Sequence, residues 1–329
     1  GRMSDSPRIS IIMAAYNSAP HIAPALDSLR RQTFQDWELI VADDGSDDET
    51  CAIVQAHAAR DARIRCFHLN VNGGPAVARN APLPEARGEW VTILDSDDRY
   101  EANRLEILLA RALRDDLDII ADNLLLYDEA AHSIICRAFA FAQETRPLTP
   151  ELLVANDGPP RIASLGHLKP FIRRAFLLET GVTYPAAARL GEDFRFLFDL
   201  LRRTRRAALL DYAGYIYTLP FSAAHGERAS GTRTSYGADG LEDLRRTNGS
   251  LMAELATEPS CDRRRLGRLG QPGARPRDGG ARRPARRHGK AGDFLAAARL
   301  LSRVDVSFGW AQLTRLFQRR KGRFQTALR

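Results

Sequence analysis

The chain has 329 residues, of which 44% are hydrophobic and 27% charged, a composition typical of a folded globular protein. This excludes a fibrous or wholly disordered chain, and no apolar run reaches the roughly 18 residues that a membrane-spanning helix needs. The 4 cysteines have neither the spacing of a metal site nor the density of a disulfide framework. The first residues also lack the apolar core of a signal peptide. We therefore expect a reduced, cytoplasmic protein.

The net charge of +7 is unevenly distributed along the chain. Residues 259–329 hold 19 Lys and Arg against 4 Asp and Glu, so the part before them is net acidic. An acidic body is not expected to bind nucleic acid. The basic tail favours an anionic partner such as a membrane surface, and a tail that is merely solvated is the alternative.

Four short apolar runs, each followed by polar or glycine residues, predict strands in the first hundred residues. The runs lie at 8–15, 37–42, 63–68 and 90–94. Segments with helical periodicity separate them, beginning with Ile22, Leu26 and Leu29 on one helix face. Strands that alternate with helices predict a mostly parallel sheet with helices on both faces. Such sheets bind ligands at the carboxyl ends of their strands.

The rest of the chain continues this pattern and then changes character. We predict a helix over 101–114, a hairpin over 118–136 that closes the sheet, helices over 171–179 and 192–203, and a strand near 207–210. Residues 226–292 are predicted to be a partly disordered linker, because 271–284 is rich in Gly, Pro and Arg. Residues 293–329 are predicted to form basic amphipathic helices with aromatic anchors.

The most distinctive motif is Asp95-Ser96-Asp97-Asp98, at the end of the fourth predicted strand. Three carboxylates in four residues repel one another unless a cation or hydrogen-bond donors lie nearby. Mg²⁺ or Mn²⁺ would satisfy them, since these ions prefer carboxylate and phosphate oxygens. The alternative is a helix N-cap with acidic residues in the first turn.

Two further motifs follow predicted strands. Asp43 and Asp44 end the second strand, where a carboxylate could accept a hydrogen bond from a nucleobase or a ribose, or could only cap a turn. Gly73-Gly74-Pro75 opens a helix that carries Arg79, whose side chain could reach a phosphate.

A fourth candidate, Gly191-Glu192-Asp193, lies far along the chain. An acidic pair at a helix start is either a carboxylate base on a rigid element or a pair that the helix dipole stabilises. Lys169 could line an acceptor or phosphate channel, although a solvated basic face is the favoured interpretation. The usual signatures of serine hydrolases, P-loop NTPases, zinc proteases and dinucleotide-binding enzymes are absent from the sequence.

In this order and spacing, the motifs resemble glycosyltransferase family 2, the inverting nucleotide-sugar enzymes of the GT-A fold. The resemblance covers about residues 7–220 and includes the segment 10–17, and segment 168–174 is similar to enzymes of bacterial exopolysaccharide synthesis, of the succinoglycan type. It implies an α/β, Rossmann-like GT-A domain with a nucleotide-sugar half at 1–130 and an acceptor half at 131–225. The linker and a C-terminal helical extension would follow.

The resemblance also implies roles for individual residues. Asp193, with Glu192 beside it, would be the general base, and Asp97, together with Asp95, would hold Mn²⁺ or Mg²⁺. The residues that would contact the nucleotide-sugar are Ala15, Tyr16, Asn17, Asp43, Asp44, Arg79, Asp95 and Ser96.

The implied function is transfer of a sugar from a nucleotide-diphosphate donor, with a UDP-sugar as the family-level expectation. The acceptor would be a saccharide, lipid-linked, in exopolysaccharide or cell-surface polysaccharide synthesis. The basic tail would then lie on the inner face of the cytoplasmic membrane. A nucleotidyltransferase and a non-catalytic protein on a similar fold remain alternatives. Pro82 and Pro84 depart from the family pattern and should shorten the helix that carries Arg79.

Overall fold

The computed structural model describes residues 6–141, 143–156, 163–187 and 191–219. The predicted linker at 226–292 and the predicted basic helices at 293–329 lie outside these residues.

Ten strands occur in the described residues. They are β1 (Ile9–Ala15), β2 (Trp37–Asp43), β3 (Ile64–His68), β4 (Trp90–Ile93), β5 (Arg99–Tyr100), β6 (Ile119–Asp128), β7 (Ser133–Arg137), β8 (Thr145–Pro147), β9 (Phe171–Arg173) and β10 (Ala207–Thr218). They form one sheet in the order β3-β2-β1-β4-β9-β6-β10-β5, with β7 paired to β6 and β8 paired to β10.

Seven α-helices connect the strands in the same part of the chain. They are α1 (Ile22–Arg30), α2 (Thr50–Ala58), α3 (Pro75–Asn80), α4 (Arg104–Arg114), α5 (Pro150–Ala155), α6 (Arg174–Thr180) and α7 (Glu192–Leu201), with short 3₁₀ turns at Leu83–Glu85 and Leu165–His167. None of these described helices has both the length and the apolar character needed to cross a bilayer.

The first four strands of the sheet are parallel, as the sequence predicts. β1 and β2 are almost wholly apolar and almost wholly buried, as is typical of parallel strands that are covered on both faces. Their register pairs Ala15 with Asp43, and Ile12 of β1 pairs with Ile93 of β4. The carboxyl ends of β1, β2 and β4 therefore lie at one edge of the sheet, and the segments that follow them meet there.

The second half of the sheet differs from the prediction in two respects. Residues 171–173, predicted to begin a helix, form β9, which pairs antiparallel with both β4 and β6 and joins the two halves of the sheet. The β6–β7 hairpin forms, but it does not close the sheet, because β10 pairs along the full length of β6 and β5 lies beyond β10. β10 is also longer than the predicted strand at 207–210, since its mainly apolar residues continue to Thr218.

Helix α3 is short, as the prolines predict. It ends at Asn80, and the 3₁₀ turn Leu83–Glu85 follows. Gly74 precedes the helix with a φ of 84°, a left-handed conformation that glycine adopts without strain. The short helix still carries Arg79 toward the carboxyl edge of the sheet, where its side chain is buried.

Candidate functional site

Three segments that follow β1, β2 and β4 are tied together at the carboxyl edge. The hydroxyls of Ser18 and Ser96 lie 2.8 Å apart. The backbone N–H of Asn17 donates to Ser46 Oγ at 3.0 Å, and the N–H of Asp47 donates to Asn17 Oδ1 at 3.0 Å. The predicted nucleotide-contacting residues Asn17 and Ser96 thus belong to one connected surface.

Asp44 holds the Gly-Gly turn before α3 against the sheet edge. Its two carboxylate oxygens accept hydrogen bonds from the N–H groups of Gly73 and Gly74, each at 2.8 Å. The N–H of Asp44 donates to the carbonyl of Ala15 at 2.8 Å. Asp44 is 2% exposed, and both of its carboxylate oxygens accept hydrogen bonds from backbone N–H groups. These hydrogen bonds position the Gly73-Gly74 loop.

Asp43 and Tyr16 flank this loop in different environments. Asp43 is fully buried, and its carboxylate accepts a hydrogen bond from the N–H of Ser46 at 3.3 Å and lies 2.8 Å from Nδ1 of His68. Tyr16 is 46% exposed, so its ring is available to a ligand.

Five charged side chains from four distant parts of the sequence form a cluster beside these loops. Arg79 contacts Asp95 at 2.9 Å, Glu192 at 3.0 Å and Asp193 at 3.1 Å. Lys169 Nζ lies 2.9 Å from Asp95 Oδ2 and also pairs with Asp193 Oδ2. We call these five residues the charged cluster. It brings the predicted base Asp193, with Glu192, next to the predicted metal ligand Asp95.

The two cations of the charged cluster are nearly enclosed, at 7% exposure for the Arg79 side chain and 3% for that of Lys169. Burial by itself disfavours a charged lysine, but the charges of Asp193 and Asp95 outweigh it and raise the pKa of Lys169. Burial likewise opposes ionisation of Asp95, yet Lys169 and Arg79 hold the pKa of Asp95 below its ordinary value. Lys169, Arg79 and Asp95 are therefore all charged at neutral pH.

An aromatic wall supports the guanidinium of the charged cluster. Tyr184 lies with its ring centroid 5.4 Å from the Arg79 guanidinium carbon and stacks on Phe196 of α7 at 3.9 Å between centroids. The amide of Asn80 exchanges hydrogen bonds with the backbone of Tyr184 at 2.7 and 2.8 Å. These contacts fix Arg79 and α7 relative to each other.

Asp97 differs from its neighbour Asp95 because no ion pair within 4.0 Å reaches it from the described residues. Burial and the nearby charge of Asp95 raise the pKa of Asp97 to about 6. A partly buried carboxylate beside a second one, with no cation of its own, fits the oxygen ligands that Mg²⁺ and Mn²⁺ prefer. The donor set at Asp97 and Asp95 is therefore compatible with such an ion.

Asp98, the third carboxylate of the motif, has a structural environment. It is 1% exposed and accepts hydrogen bonds from the Tyr215 hydroxyl at 2.6 Å and the Thr218 N–H at 2.7 Å. Burial, with the charges of Asp97 and Asp95, raises the pKa of Asp98 well above its usual value. The three carboxylates of the motif thus differ in their contacts. Asp95 is ion-paired, Asp97 has no ion pair among the described residues, and Asp98 is hydrogen-bonded to β10.

Two residues of this region were not identified as site residues from the sequence. For Lys169, the expectation of a solvated basic face is wrong, because the residue is buried and joins Asp95 to Asp193. The apolar residues around it, Leu168 and Phe171-Ile172, were a usable signal of burial. His68 ends β3 beside Asp43, and only the register of β2 and β3 reveals that proximity.

Comparisons with known proteins show which sequences and folds this chain is similar to. Residues 10–134 match the family described as Glycosyl transferase family 2. The succinoglycan biosynthesis protein ExoO of Rhizobium meliloti (strain 1021) is 36% identical over 214 residues, which cover 64% of this chain and 60% of ExoO. The chain therefore spans about three fifths of the length of that relative.

Two further relatives extend the comparison. WfgD of Escherichia coli, a UDP-Glc:alpha-D-GlcNAc-diphosphoundecaprenol beta-1,3-glucosyltransferase, is 36% identical over 119 residues, or 36% of this chain and 46% of WfgD. The crystal structure of Staphylococcus aureus TarS 1-349 in complex with UDP-GlcNAc is similar over 80% of this chain and 70% of that chain, with a TM-score of 0.61 and 22% identity. The expected GT-A fold, with a mixed sheet flanked by helices, is confirmed.

Proposed function

We propose that this chain, whose residues 10–134 match glycosyl transferase family 2, transfers a sugar from a nucleotide-diphosphate donor to a saccharide acceptor, with inversion at the sugar carbon. By analogy with the succinoglycan biosynthesis protein ExoO, the process is proposed to be bacterial exopolysaccharide or cell-surface polysaccharide synthesis.

The observation that carries this proposal is the charged cluster. Asp95, which follows β4, and Asp193, which begins α7, are joined through Lys169 although 98 positions of sequence separate them. In the proposed reaction this arrangement would bring the base Asp193 close to the predicted metal and diphosphate residues, as an in-line displacement requires. Capping of separate helices gives no reason for the two carboxylates to share a cation.

In the proposed reaction, Asp193 takes the proton of the acceptor hydroxyl as its oxygen forms a bond to sugar C1. The bond between C1 and the diphosphate oxygen breaks, and the electron pair leaves with the nucleotide diphosphate. Lys169 and Arg79 hold the Asp193 carboxylate in one orientation, since both contact it. Glu192 contacts Arg79 Nη1 at 3.0 Å, the same nitrogen that contacts Asp193, and so adds a second carboxylate to that end of the guanidinium.

Asp97, with Asp95, would hold Mn²⁺ or Mg²⁺ in this scheme. When bound, the ion supplies positive charge against the diphosphate of the donor and of the leaving group. Asp97 has no competing cation among the described residues, whereas Asp95 is already shared between Arg79 and Lys169. We therefore propose Asp97 as the principal ligand.

The nucleoside part of the donor is proposed to lie over the loops that follow β1 and β2. Tyr16 offers an exposed ring for stacking, and Asn17 and Ser96 sit on the hydrogen-bonded surface beside it. Asp43 would accept a hydrogen bond from the base or ribose, while Asp44 and Ala15 shape the loop. A uridine nucleotide is the proposed donor class, by analogy with WfgD and with TarS bound to UDP-GlcNAc.

The acceptor is proposed to be lipid-linked, by analogy with the diphosphoundecaprenol acceptor in the name of WfgD. The chain would then act at the inner face of the cytoplasmic membrane, with the basic residues of 259–329 close to anionic lipids. Co-sedimentation with anionic vesicles, with and without residues 293–329, tests the membrane contact. Equal partitioning of the two proteins would contradict it.

A nucleotide titration tests the core of the proposal. The melting temperature is measured with UDP, GDP, ADP or CMP, each with and without Mn²⁺, for the wild type, Asp97→Asn and the control Asp116→Asn. A ligand that binds only the folded state raises the melting temperature by mass action. We expect metal-dependent stabilisation by UDP in the wild type and in Asp116→Asn, and its loss in Asp97→Asn.

The outcomes separate this function from its alternatives. Stabilisation by UDP justifies a screen of UDP-sugars for transfer, whereas stabilisation by another nucleotide changes the donor class. If no nucleotide stabilises any of the proteins, the acidic strand ends are only structural, and the non-catalytic alternative replaces the proposal.

A further inference from the structure

A second group of metal-ligating side chains lies beside the nucleotide loops, apart from the charged cluster. Among the described residues, Asp43, Cys51 and His68 each offer one ligand atom, and these three atoms lie within 4.8 Å of one another. The shortest of the separations is 2.8 Å, between Asp43 Oδ2 and His68 Nδ1. An oxygen, a sulfur and an imidazole nitrogen thus converge on one point.

Rigid elements hold all three ligands. Asp43 ends β2, and His68 ends β3 as its direct register partner. Cys51 lies in the first turn of α2, which packs on β3. The Asp43 carboxylate is further fixed by the N–H of Ser46. Little ordering entropy would therefore be lost when an ion joins these side chains.

A second layer supports the ligand thiol. The Gln55 side-chain amide donates to Cys51 Sγ at 3.4 Å. The thiol of Cys66, two residues before His68 on the same face of β3, lies next to Cys51. Gln55 and Cys66 thus flank the Cys51 sulfur, as outer partners of metal ligands do.

We propose that Asp43, Cys51 and His68 form a binding site for a thiophilic divalent cation of the Zn²⁺ class. Zn²⁺ binds cysteine sulfur at roughly 2.3 Å and histidine nitrogen or carboxylate oxygen at roughly 2.0–2.2 Å, which places its ligand atoms about 3.5 Å apart. The observed separations need side-chain shifts of only about 1 Å to reach that arrangement. The His68 side chain is 54% exposed, so the ion can enter from solvent and keep a water as its fourth ligand.

The site selects a different ion from the one proposed at Asp97. Sulfur and imidazole favour Zn²⁺, Co²⁺ and related ions, whereas the all-carboxylate set at Asp95 and Asp97 favours Mg²⁺ and Mn²⁺. The ion at the Asp43 site would also use the carboxylate that is proposed to hold the nucleobase. On the condition that the proposed function holds, Zn²⁺ at this site therefore competes with the nucleotide.

Cobalt spectroscopy on the full-length protein, kept reduced and free of nucleotide, tests the site. Co²⁺ bound to a thiolate gives a sulfur-to-metal charge-transfer band in the near ultraviolet, which carboxylates at Asp97 cannot produce. We expect the band in the wild type, its bleaching by Zn²⁺, and its loss in Cys51→Ser. The matched control is Cys136→Ser, a partly buried cysteine on β7, which should retain the band.

Affinity for Zn²⁺, measured by competition with a chromophoric chelator, gives a second readout. Loss of a ligand should weaken binding more than about 10-fold, since even outer-shell changes cost 10- to 100-fold. His68→Ala provides this test at a half-exposed position, and urea unfolding of the variant serves as the control. Absence of the band in the wild type overturns the proposal. The proposal is also overturned if the cobalt band persists in Cys51→Ser. It is overturned as well if the band is lost only in Cys66→Ser or Cys261→Ser, because another cysteine would then be the ligand.

The competition with nucleotide is measured separately, so that the two proposals can fail independently. UDP binding is titrated with and without Zn²⁺ in the wild type and in Cys51→Ser. We expect Zn²⁺ to weaken UDP binding in the wild type alone. If the cobalt band is present but Zn²⁺ leaves UDP binding unchanged, the metal site stands and its overlap with the nucleotide is wrong. If UDP does not bind at all, it is the proposed function that fails.

Discussion

Among the described residues, two groups of oppositely charged side chains are built differently. In one, Arg104 and Asp122 form a one-to-one pair with side chains 0% and 1% exposed. In the other, the charged cluster, two cations face Asp95, Glu192 and Asp193, which are 14% to 20% exposed, and Asp97 lies next to them. The first group is electrically balanced and sealed, whereas the second has an excess of carboxylates and an opening to solvent.

The surroundings of Arg104 explain why its pair is structural. Its guanidinium lies 4.2 Å from the ring centroid of Tyr100 and 5.2 Å from that of Tyr215. Burial alone would lower the pKa of Arg104, but the charge of Asp122 outweighs it and raises the pKa. No ligand can reach such a pair, and its contribution is to the arrangement of the core.

The two groups are physically connected. Arg104 Nη2 donates to the backbone carbonyl of Lys169 at 2.6 Å. The sealed pair therefore holds the segment from which Lys169 extends into the charged cluster. The buried Arg104–Asp122 pair, whose charges cancel, thus helps to position the charged cluster, which has more carboxylates than cations. A metal ion or a reacting group can act at the charged cluster, because its charges are neither cancelled nor fully buried.

The largest effect is expected for Asp193→Asn, which removes the proposed base without changing its shape. General-base catalysis contributes about 10²- to 10⁴-fold, so the rate of sugar transfer should fall by that factor. The rate is measured with the donor that the nucleotide titration selects. Urea unfolding serves as the control. The variant should remain folded, because the charged cluster has three carboxylates for two cations and the change removes one negative charge. A variant with normal activity would remove Asp193 from the mechanism.

A large loss of stability is expected for Asp122→Ala. The change leaves Arg104 buried without its partner, and breaking a buried pair in this way costs about 3–5 kcal/mol. The free energy of unfolding is measured in urea. If Asp122→Ala and Asp193→Asn lose a similar free energy of unfolding, the Arg104–Asp122 pair and the charged cluster do not differ in their structural role.

A smaller, pH-dependent effect is expected for Asp97→Asn. The folded-state pKa of Asp97 is about 6, above the ordinary 3.8, so the fold favours the protonated form. The stability contribution of the wild-type group is therefore present below pH 3.8 and is lost as the pH rises to about 6. The unfolding free energy of Asp97→Asn, relative to the wild type, should increase over this interval and then stay constant.

Metal addition sharpens the same prediction. At neutral pH, Mn²⁺ should stabilise the wild type and leave Asp97→Asn unchanged, because only the former presents the unpaired carboxylate. A pH-independent difference between the two proteins, or equal stabilisation by Mn²⁺, would argue against an uncompensated charge at Asp97.

The smallest effect is expected for Asp116→Asn, since asparagine also tolerates the left-handed backbone of this position, with its φ of 46°. The Asp116 side chain is 72% exposed and pairs with Arg173 and Arg206 at the surface. Exposed ion pairs contribute little because water already solvates both charges. The midpoint of urea unfolding should stay within the scatter of replicate measurements. A clear shift of the unfolding midpoint would mean that an exposed ion pair can contribute to the stability of this protein as much as a buried one.

Much of the architecture was determined by the sequence alone. The apolar runs that became β1, β2 and β4 are strands because their residues can be buried on both faces, and their polar ends meet because parallel strands share a carboxyl edge. Pro82 likewise ended α3 for a local reason, since proline cannot continue the hydrogen bonds of a helix. These are short-range effects that a linear pattern contains.

Only the tertiary structure decided which charges meet. Residues 171–173 are a strand because they pair with both β4 and β6, and Lys169, just before that strand, contacts both Asp95 and Asp193. The pairing of β2 with β3 similarly brought His68 to Asp43. Coulomb interactions and metal ligation depend on distances between atoms, and residues far apart in sequence acquire those distances only when the sheet forms.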